Sequence, residues 1–503
     1  MTPPPETVFD LFIVGAGING AGIARDAAGR GLKVLLVDQG DIAGATSSAS
    51  TKLIHGGLRY LEHYDFGLVR ESLTEREILL ANVPHLAREQ RFVIPHQPAL
   101  RPRWMIRLGL GLYDLLAGGS SLAHAESVDL HSSPYGYPLQ AQFARGFAYS
   151  DLATDDARLT LLNVISAAQL GAQVLTRTRL VAARREQGEW RATLEDMQGQ
   201  RSEHRARILV NVAGPWVAAV REMISGPACG GALRLVKGSH IVVPKLYQGE
   251  QAYLLQHADG RIVFVIPFER DFSLIGTTEM TLIAPDAQPS SNADEINYLC
   301  AAVSAFMKKA VTPSQVVWSF AGIRALYDDG RAEASAVTRE YRLVVDDEAG
   351  QAPLLSIYGG KLTTYRRLAE RVLSRLSPWL PNLRAPWTAA VHLPGGGLGP
   401  RGLSGLLLEL SQHYPMLRTE LLEDLARRHG TLARRVLGSA QTERDLGEHF
   451  GGGLYAAEVD HMLAHEWARD IDDILWRRSK CGLRVDDAGK ASLRDYIAQK
   501  SRA

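Results

Sequence analysis

Cysteine is scarce in this chain: three among 503 residues, Cys229, Cys300 and Cys481. They lie far apart and form no CxxC pair, which excludes a disulfide framework and gives thiol catalysis no support. A reducing compartment is the simple expectation. Net charge is also nearly absent, 56 basic against 55 acidic residues for a formal +1. No global basic field recruits nucleic acid, and no aromatic-basic stripe is present to bind it. No apolar run approaches the roughly 20 residues that span a bilayer, so a transmembrane protein is excluded while a monotopic one is not. Met1 to Glu6 carries neither a basic nor an apolar signal segment, so no secretory leader is expected. No metal site is expected.

With 46% hydrophobic and 22% charged residues, the composition is globular, and the length suits two or three domains. The first forty residues are the most informative. The apolar run Leu11 to Val14 feeds into Gly15-Ala16-Gly17-Ile18-Asn19-Gly20, a small-residue helix follows, and a second strand, Val34 to Val37, ends at Asp38. This is strand, GxGxxG, helix, strand, acid. Gly15 permits the tight turn, Gly17 lets a pyrophosphate approach the backbone, and Gly20 lets helix and strand pack closely. The phosphates sit on the helix N-terminus, and Asp38 is placed for an adenosine ribose. The chain is expected to bind a dinucleotide.

Beyond Asp38 come Thr46-Ser47-Ser48-Ala49-Ser50-Thr51-Lys52-Leu53-Ile54-His55-Gly56-Gly57-Leu58-Arg59-Tyr60, and later Gly359-Gly360-Lys361-Leu362-Thr363-Thr364-Tyr365. Nicotinamide enzymes usually continue with further βα units at the first of these points. Through these two segments the chain resembles the FAD-dependent, respiratory glycerol-3-phosphate dehydrogenases, from Ile13 to the Trp476-Arg477-Arg478-Ser479-Lys480 tail. The resemblance implies noncovalent FAD held by Gly15, Gly17, Asn19, Gly20, Asp38, Thr46, Ser47, Ser48, Lys52, Leu53, His55, Gly57, Ala213, Gly214, Gly360, Lys361, Leu362 and Thr363. The Ala213-Gly214-Pro215-Trp216 turn has a second reading, an ordinary helix start with proline in its first turn.

The expected fold is α/β (α+β overall). A Rossmann-like FAD-binding domain takes residues 8–75, 150–230 and 318–385. An antiparallel-sheet substrate domain, as in glycine and D-amino-acid oxidase flavoproteins, takes 76–149 and 231–317, with a hairpin turn at Asp259-Gly260. The Pro/Gly-rich stretch Leu393 to Pro400 reads as a linker, and 401–503 as a helical C-terminal domain without a catalytic constellation.

Oxidising a secondary alcohol on a flavin needs a base for the hydroxyl proton and a clamp for the substrate's charged end. Guanidinium forks match phosphate oxygens. The candidates, all in matching segments, are Arg59, Tyr60, Arg324, Arg339 and Lys361, and Arg324 is also placed to stabilise alkoxide charge. Two histidines, His55 and His240, are candidate bases, and each could instead only fix a loop. The family usually has Asp at Glu279 and Pro at Ala325, so the substrate geometry departs slightly here. Basic residues interleave with Trp104, Met105 and leucines from Arg101 to Leu116, Tyr113 included. That pattern suits an interfacial helix and equally a core helix with a charged entry; the resemblance favours membrane contact.

The expected activity is oxidation of sn-glycerol 3-phosphate to dihydroxyacetone phosphate, with electrons passed to ubiquinone or a similar quinone at the inner face of the cell membrane. A soluble oxidase producing hydrogen peroxide is the first alternative, and a flavin-bound RNA-modifying or scaffold protein the second. Oligomeric state, a homodimer included, stays open at the level of sequence.

Overall fold

Two large sheets meet along one seam, with a helical region closing one end. The computed structural model describes residues 7–500 apart from 59–60, 62–63, 98–99, 226–232, 287, 329–340 and 348–349. In the first sheet the strands Leu354–Tyr358, Arg201–Asn211, Val8–Val14, Val34–Val37 and Gln173–Leu175 run parallel in that order. The antiparallel pair Thr178–Glu186 and Glu189–Asp196 joins through Arg201–Asn211, and Arg342–Asp346 closes the other edge. From Leu11 to Val14 period-two alternation explains its two faces. Leu11 and Ile13 face a core shared with the helices Ile18–Gly29, Asp156–Gln169 and Tyr365–Leu376, while Phe9, Phe12 and Val14 face a second core around Trp190 and Leu194.

The second sheet has ten strands. Leu233–Pro244, Phe272–Gly276, Ile262–Phe268 and Ala252–Gln256 pair antiparallel, with the hairpin turn at Asp259-Gly260 between the last two. Ala252–Gln256 then pairs parallel with Arg88–Pro95, so the sheet is mixed rather than purely antiparallel. One expected boundary is corrected by the pairing. Trp318–Tyr327, placed by sequence with the dinucleotide-binding unit, lies along Leu233–Pro244 from end to end, and Leu53–Ile54 also pairs into this sheet. The seam is therefore crossed by strands, and the loop after Asp38 is fixed to both sheets.

Residues from 402 onward form the helices Gly402–His413, Thr419–His429, Ala456–His465 and Asp487–Lys500 with a small ribbon, His449–Gly451 and Leu454–Tyr455. The stretch read as a linker is packed rather than loose. Leu393 is buried and its amide donates to the Asn82 carbonyl, while the Gly395 carbonyl accepts from Thr431. Buried ion pairs fasten this region to the rest. Arg158 meets Glu466 with both guanidinium ends (2.8 and 3.0 Å), and Arg478 meets Asp41 likewise (2.6 and 2.8 Å).

Arg158 and Glu466 are both fully buried, so removing one partner leaves an uncompensated charge. Arg158→Met is expected to cost about 3–5 kcal/mol. A urea titration followed by tryptophan fluorescence should show an earlier transition; an unchanged midpoint would mean that this pair does not hold the C-terminal helices.

Candidate active site

At the carboxyl ends of the parallel strands, where open α/β sheets bind ligands, lies a cavity of about 700 Å³. Its floor is the first turn. Gly15 has φ 115°, and a Cβ there would meet the Val212 carbonyl oxygen at 2.7 Å. A Cβ on Gly17 would meet Ser47 Oγ at 3.0 Å, and one on Gly20 would collide with the Gly15 carbonyl oxygen. The N-cap residue of the helix beginning at Ile18 offers no side-chain cap, and the Ile18 amide donates to Ser47 Oγ at 2.9 Å; the helix dipole still favours an anion here. Asp38 accepts from the Ala16 amide (2.7 Å) and the Gly40 amide (2.8 Å), one on each carboxylate oxygen. A carboxylate has about four acceptor positions, which leaves capacity for ribose hydroxyls.

The facing wall comes from the second sheet. Thr46 Oγ1 donates to the Ile323 carbonyl at 2.7 Å, and a Cβ on Gly322 would press on Ala49 at 3.0 Å. Asn19 Nδ2 donates to the Gly359 carbonyl at 3.3 Å, and a Cβ on Gly360 would collide with that same amide. Glycine at 322 lets the second sheet approach the loop after Asp38, and glycine at 360 lets the turn after Leu354–Tyr358, in the first sheet, close on Asn19.

His240 lies opposite Gly276, where any Cβ would occupy the imidazole's place. Its ring stacks on Phe320 (4.9 Å, 12°), and Nε2 is 3.0 Å from Thr51 Oγ1. Burial, then the charges of Lys52 and Arg324, push its pKa down to about 3. The imidazole is thus neutral near pH 7 and open to a proton. Arg324, half-buried, donates to Glu279 at 2.9 Å.

Of the residues singled out by sequence, the structure brings Gly15, Gly17, Asn19, Asp38, Thr46, Ser47, Leu53, His55, Ala213, Gly214, His240, Arg324, Gly360, Lys361, Leu362 and Thr363 to this one cavity. Four it does not. Gly20 is a packing glycine, Gly57 lies off the lining, Ser48 donates to the Ala45 carbonyl, and Lys52 turns away to Asp156 (2.7 Å) and the Ser48 carbonyl (2.9 Å). Arg59, Tyr60 and Arg339 lie outside the described residues. Sequence reasoning missed Arg477, which reaches the cavity rim and pairs with Asp41 at 2.6 Å. No local spacing signals a contact between residues more than four hundred positions apart.

Comparison with known proteins agrees with this geometry. The family described as FAD dependent oxidoreductase matches residues 10–366, and the C-terminal domain of alpha-glycerophosphate oxidase matches 386–499. A glycerol-3-phosphate dehydrogenase of Pseudomonas aeruginosa is 50% identical over 98% of this chain and 96% of its own length. A D-erythritol 1-phosphate dehydrogenase of Brucella abortus is 46% identical, covering 98% of each. The structure of a glycerol-3-phosphate dehydrogenase from Bacillus halodurans, complexed with FAD, superposes with a TM-score of 0.76 at 27% identity, covering 98% of this chain and 89% of that one. The chain belongs to the FAD dependent oxidoreductase family, among its glycerol-3-phosphate dehydrogenases.

The cavity fits FAD: a helix N-terminus for the pyrophosphate, an acid for the ribose, and the Thr46, Ser47 and Thr51 hydroxyls beside the second sheet. Gly17→Val puts a branched side chain against Ser47 and into the pyrophosphate's approach. The variant is expected to purify without flavin absorbance. Stoichiometric FAD in the folded variant would show that this turn does not hold the cofactor.

Proposed function

We propose that this flavoenzyme oxidises sn-glycerol 3-phosphate to dihydroxyacetone phosphate and delivers the two electrons to a membrane quinone, ubiquinone or a similar one. The observation that carries the reading is Arg324 in the cavity wall, paired to Glu279, in a chain half identical to a glycerol-3-phosphate dehydrogenase along nearly its whole length. Bound FAD supplies the hydride acceptor. Arg324 presents a planar cationic fork to the substrate's anionic oxygens, and Glu279 fixes its direction. Lys361 adds a second cation on the same cavity. His240 takes the hydroxyl proton at its imidazole, which burial and then the Lys52 and Arg324 charges keep neutral near pH 7. His55 faces the same space and is the alternative base.

A second substrate follows from the relative that acts on D-erythritol 1-phosphate, a phosphate ester one carbon longer. Anaerobic flavin bleaching separates the readings: glycerol 3-phosphate is expected to bleach fastest, and unphosphorylated glycerol hardly at all. Arg324→Ala should retain FAD and lose about 1.5–3 kcal/mol or more of substrate interaction. Wild-type reduction kinetics in that variant would remove Arg324 from the site; faster bleaching by erythritol 1-phosphate would reassign the substrate.

The electron acceptor lies in a bilayer, and among the described residues no helix is long and apolar enough to cross one. We place the protein peripherally, on the inner face of the cell membrane, through the helix Arg103–Ala117. Trp104, Leu108 and Leu115 are 65%, 66% and 75% exposed and share one helical face, with Arg103 and Arg107 exposed nearby. Tyr113, read from sequence as part of that surface, points inward, and Ile106 is half-buried against the core. Exchanging Trp104, Leu108 and Leu115 for Ser should shift the protein from membranes to the soluble fraction, since each buried apolar side chain contributes about 1.5–3 kcal/mol. Flavin reduction should be nearly unchanged and turnover with membrane quinone reduced. Efficient peroxide formation by a soluble wild-type protein, indifferent to quinone, would favour the oxidase.

A further inference from the structure

A second cavity of about 340 Å³ lies between the loop His85 to Arg88, the strand turn at Phe268 to Arg270, and the C-terminal helices near Asp424 to Arg428. Thr51 stands in the wall it shares with the first cavity. Several cations around it are closed by carboxylates: Lys245 by Glu250 (2.9 Å), Arg270 by Asp424 (2.9 Å) and Arg484 by Asp271 (2.8 Å). Arg88 and Arg427 have no ion pair or hydrogen bond to their side chains among the described residues, and they face the same space. Partial desolvation, then the Arg427 charge, lowers the Arg88 pKa, with Glu250 and Glu269 offsetting in part. Both arginines are solvent-exposed at this space, and their mutual repulsion, offset only in part by Glu250 and Glu269, would be relieved by a bound anion.

Two polar groups in the lining are unsatisfied among the described residues. His85 is 4% exposed, and neither ring nitrogen has a hydrogen-bond partner among the described residues. Burial and the Arg158 and His429 charges lower its pKa to about 3, so it is a neutral imidazole with one donor and one acceptor. The carboxyl of Glu269, on the same wall, has neither an ion pair nor a hydrogen bond among the described residues, and burial raises its pKa, against Lys480 and with Asp155. A buried orphan imidazole is costly unless a ligand hydroxyl meets it.

We propose that this second cavity binds a phosphorylated, hydroxyl-bearing small molecule, its phosphate on Arg88 and Arg427 and its hydroxyls on His85 and Glu269. The site is independent of the substrate assigned to the first cavity. A sugar or polyol phosphate has both kinds of group, whereas inorganic phosphate satisfies only the arginines.

The test is calorimetric titration of the FAD-loaded enzyme with glucose 6-phosphate, inorganic phosphate and glucose. Glucose 6-phosphate is expected to bind best, phosphate more weakly, and glucose not measurably. Binding should survive Arg324→Ala, which disables the first cavity, and weaken tenfold or more in Arg88→Ser/Arg427→Ser. His85→Phe should erase the preference for glucose 6-phosphate over phosphate. Because the two arginines repel, the double variant without ligand should unfold no lower than wild type at low salt. No binding by wild type, or binding lost with Arg324 and kept without Arg88 and Arg427, would overturn the proposal. A lower midpoint of the double variant would show the arginines to be structural and overturn it too. Vesicles of phosphatidylglycerol against phosphatidylcholine test the other phosphate source: arginine-dependent vesicle binding with no glucose 6-phosphate binding would assign the cavity to a lipid headgroup instead.

Discussion

The carboxylate of Asp156, fully buried at the start of its helix, is the point on which the site depends. It accepts from the Ser50 amide (2.9 Å), Ser50 Oγ (2.7 Å), Lys52 Nζ (2.7 Å) and the Ala157 amide (2.9 Å). Four donors on one carboxylate offset its desolvation and turn a glycine- and serine-rich loop into a fixed wall. Thr51, between the two anchored residues, is thereby aimed at His240. Neutralising Asp156 would free the loop and leave the Lys52 charge buried without its partner, so cavity shape and the field on His240 would change together.

This explains what the sequence could and could not reveal. The Gly15-Gly17-Gly20 turn is local: strand, tight turn and helix are adjacent in the chain, and the spacing alone fixes the geometry. The hairpin at Asp259-Gly260 is legible for the same reason. Lys52 is different. Its place in a cofactor-lining motif pointed to the cavity, yet its position is decided by Asp156, a hundred residues on, which no local pattern announces. Trp318–Tyr327 was misplaced because a strand's sheet is set by its partner, here Leu233–Pro244, and not by its own composition. Arg477 was invisible for a similar reason: its contact with Asp41 exists only once the C-terminal helices dock.

The histidine shows how packing and electrostatics combine. Gly276 makes the space and Phe320 fixes the ring plane, while burial and then the Lys52 and Arg324 charges keep the imidazole neutral. A surface histidine would be partly protonated near neutral pH and useless as a proton acceptor for that fraction. In the proposed mechanism burial, aided by the same positive field that would clamp an anionic substrate, keeps this imidazole neutral.

The helix proposed to meet the membrane is tied to the same machinery. Its outer face carries Trp104, Leu108 and Leu115, while its inner face sends Tyr113 into the core. The Tyr113 hydroxyl accepts from the Gly56 amide (2.8 Å) and donates to Asp151 (2.7 Å), which Arg76 neutralises at 2.9 Å. A Cβ on Gly56 would strike that hydroxyl and Leu73 at 2.5 Å, so the loop carrying His55 can sit only against this helix. The helix proposed to rest on lipid through one face therefore positions the loop carrying His55 through the other. A displacement of the helix would be felt at His55 through one hydrogen bond, which makes membrane docking and active-site order two readings of the same packing.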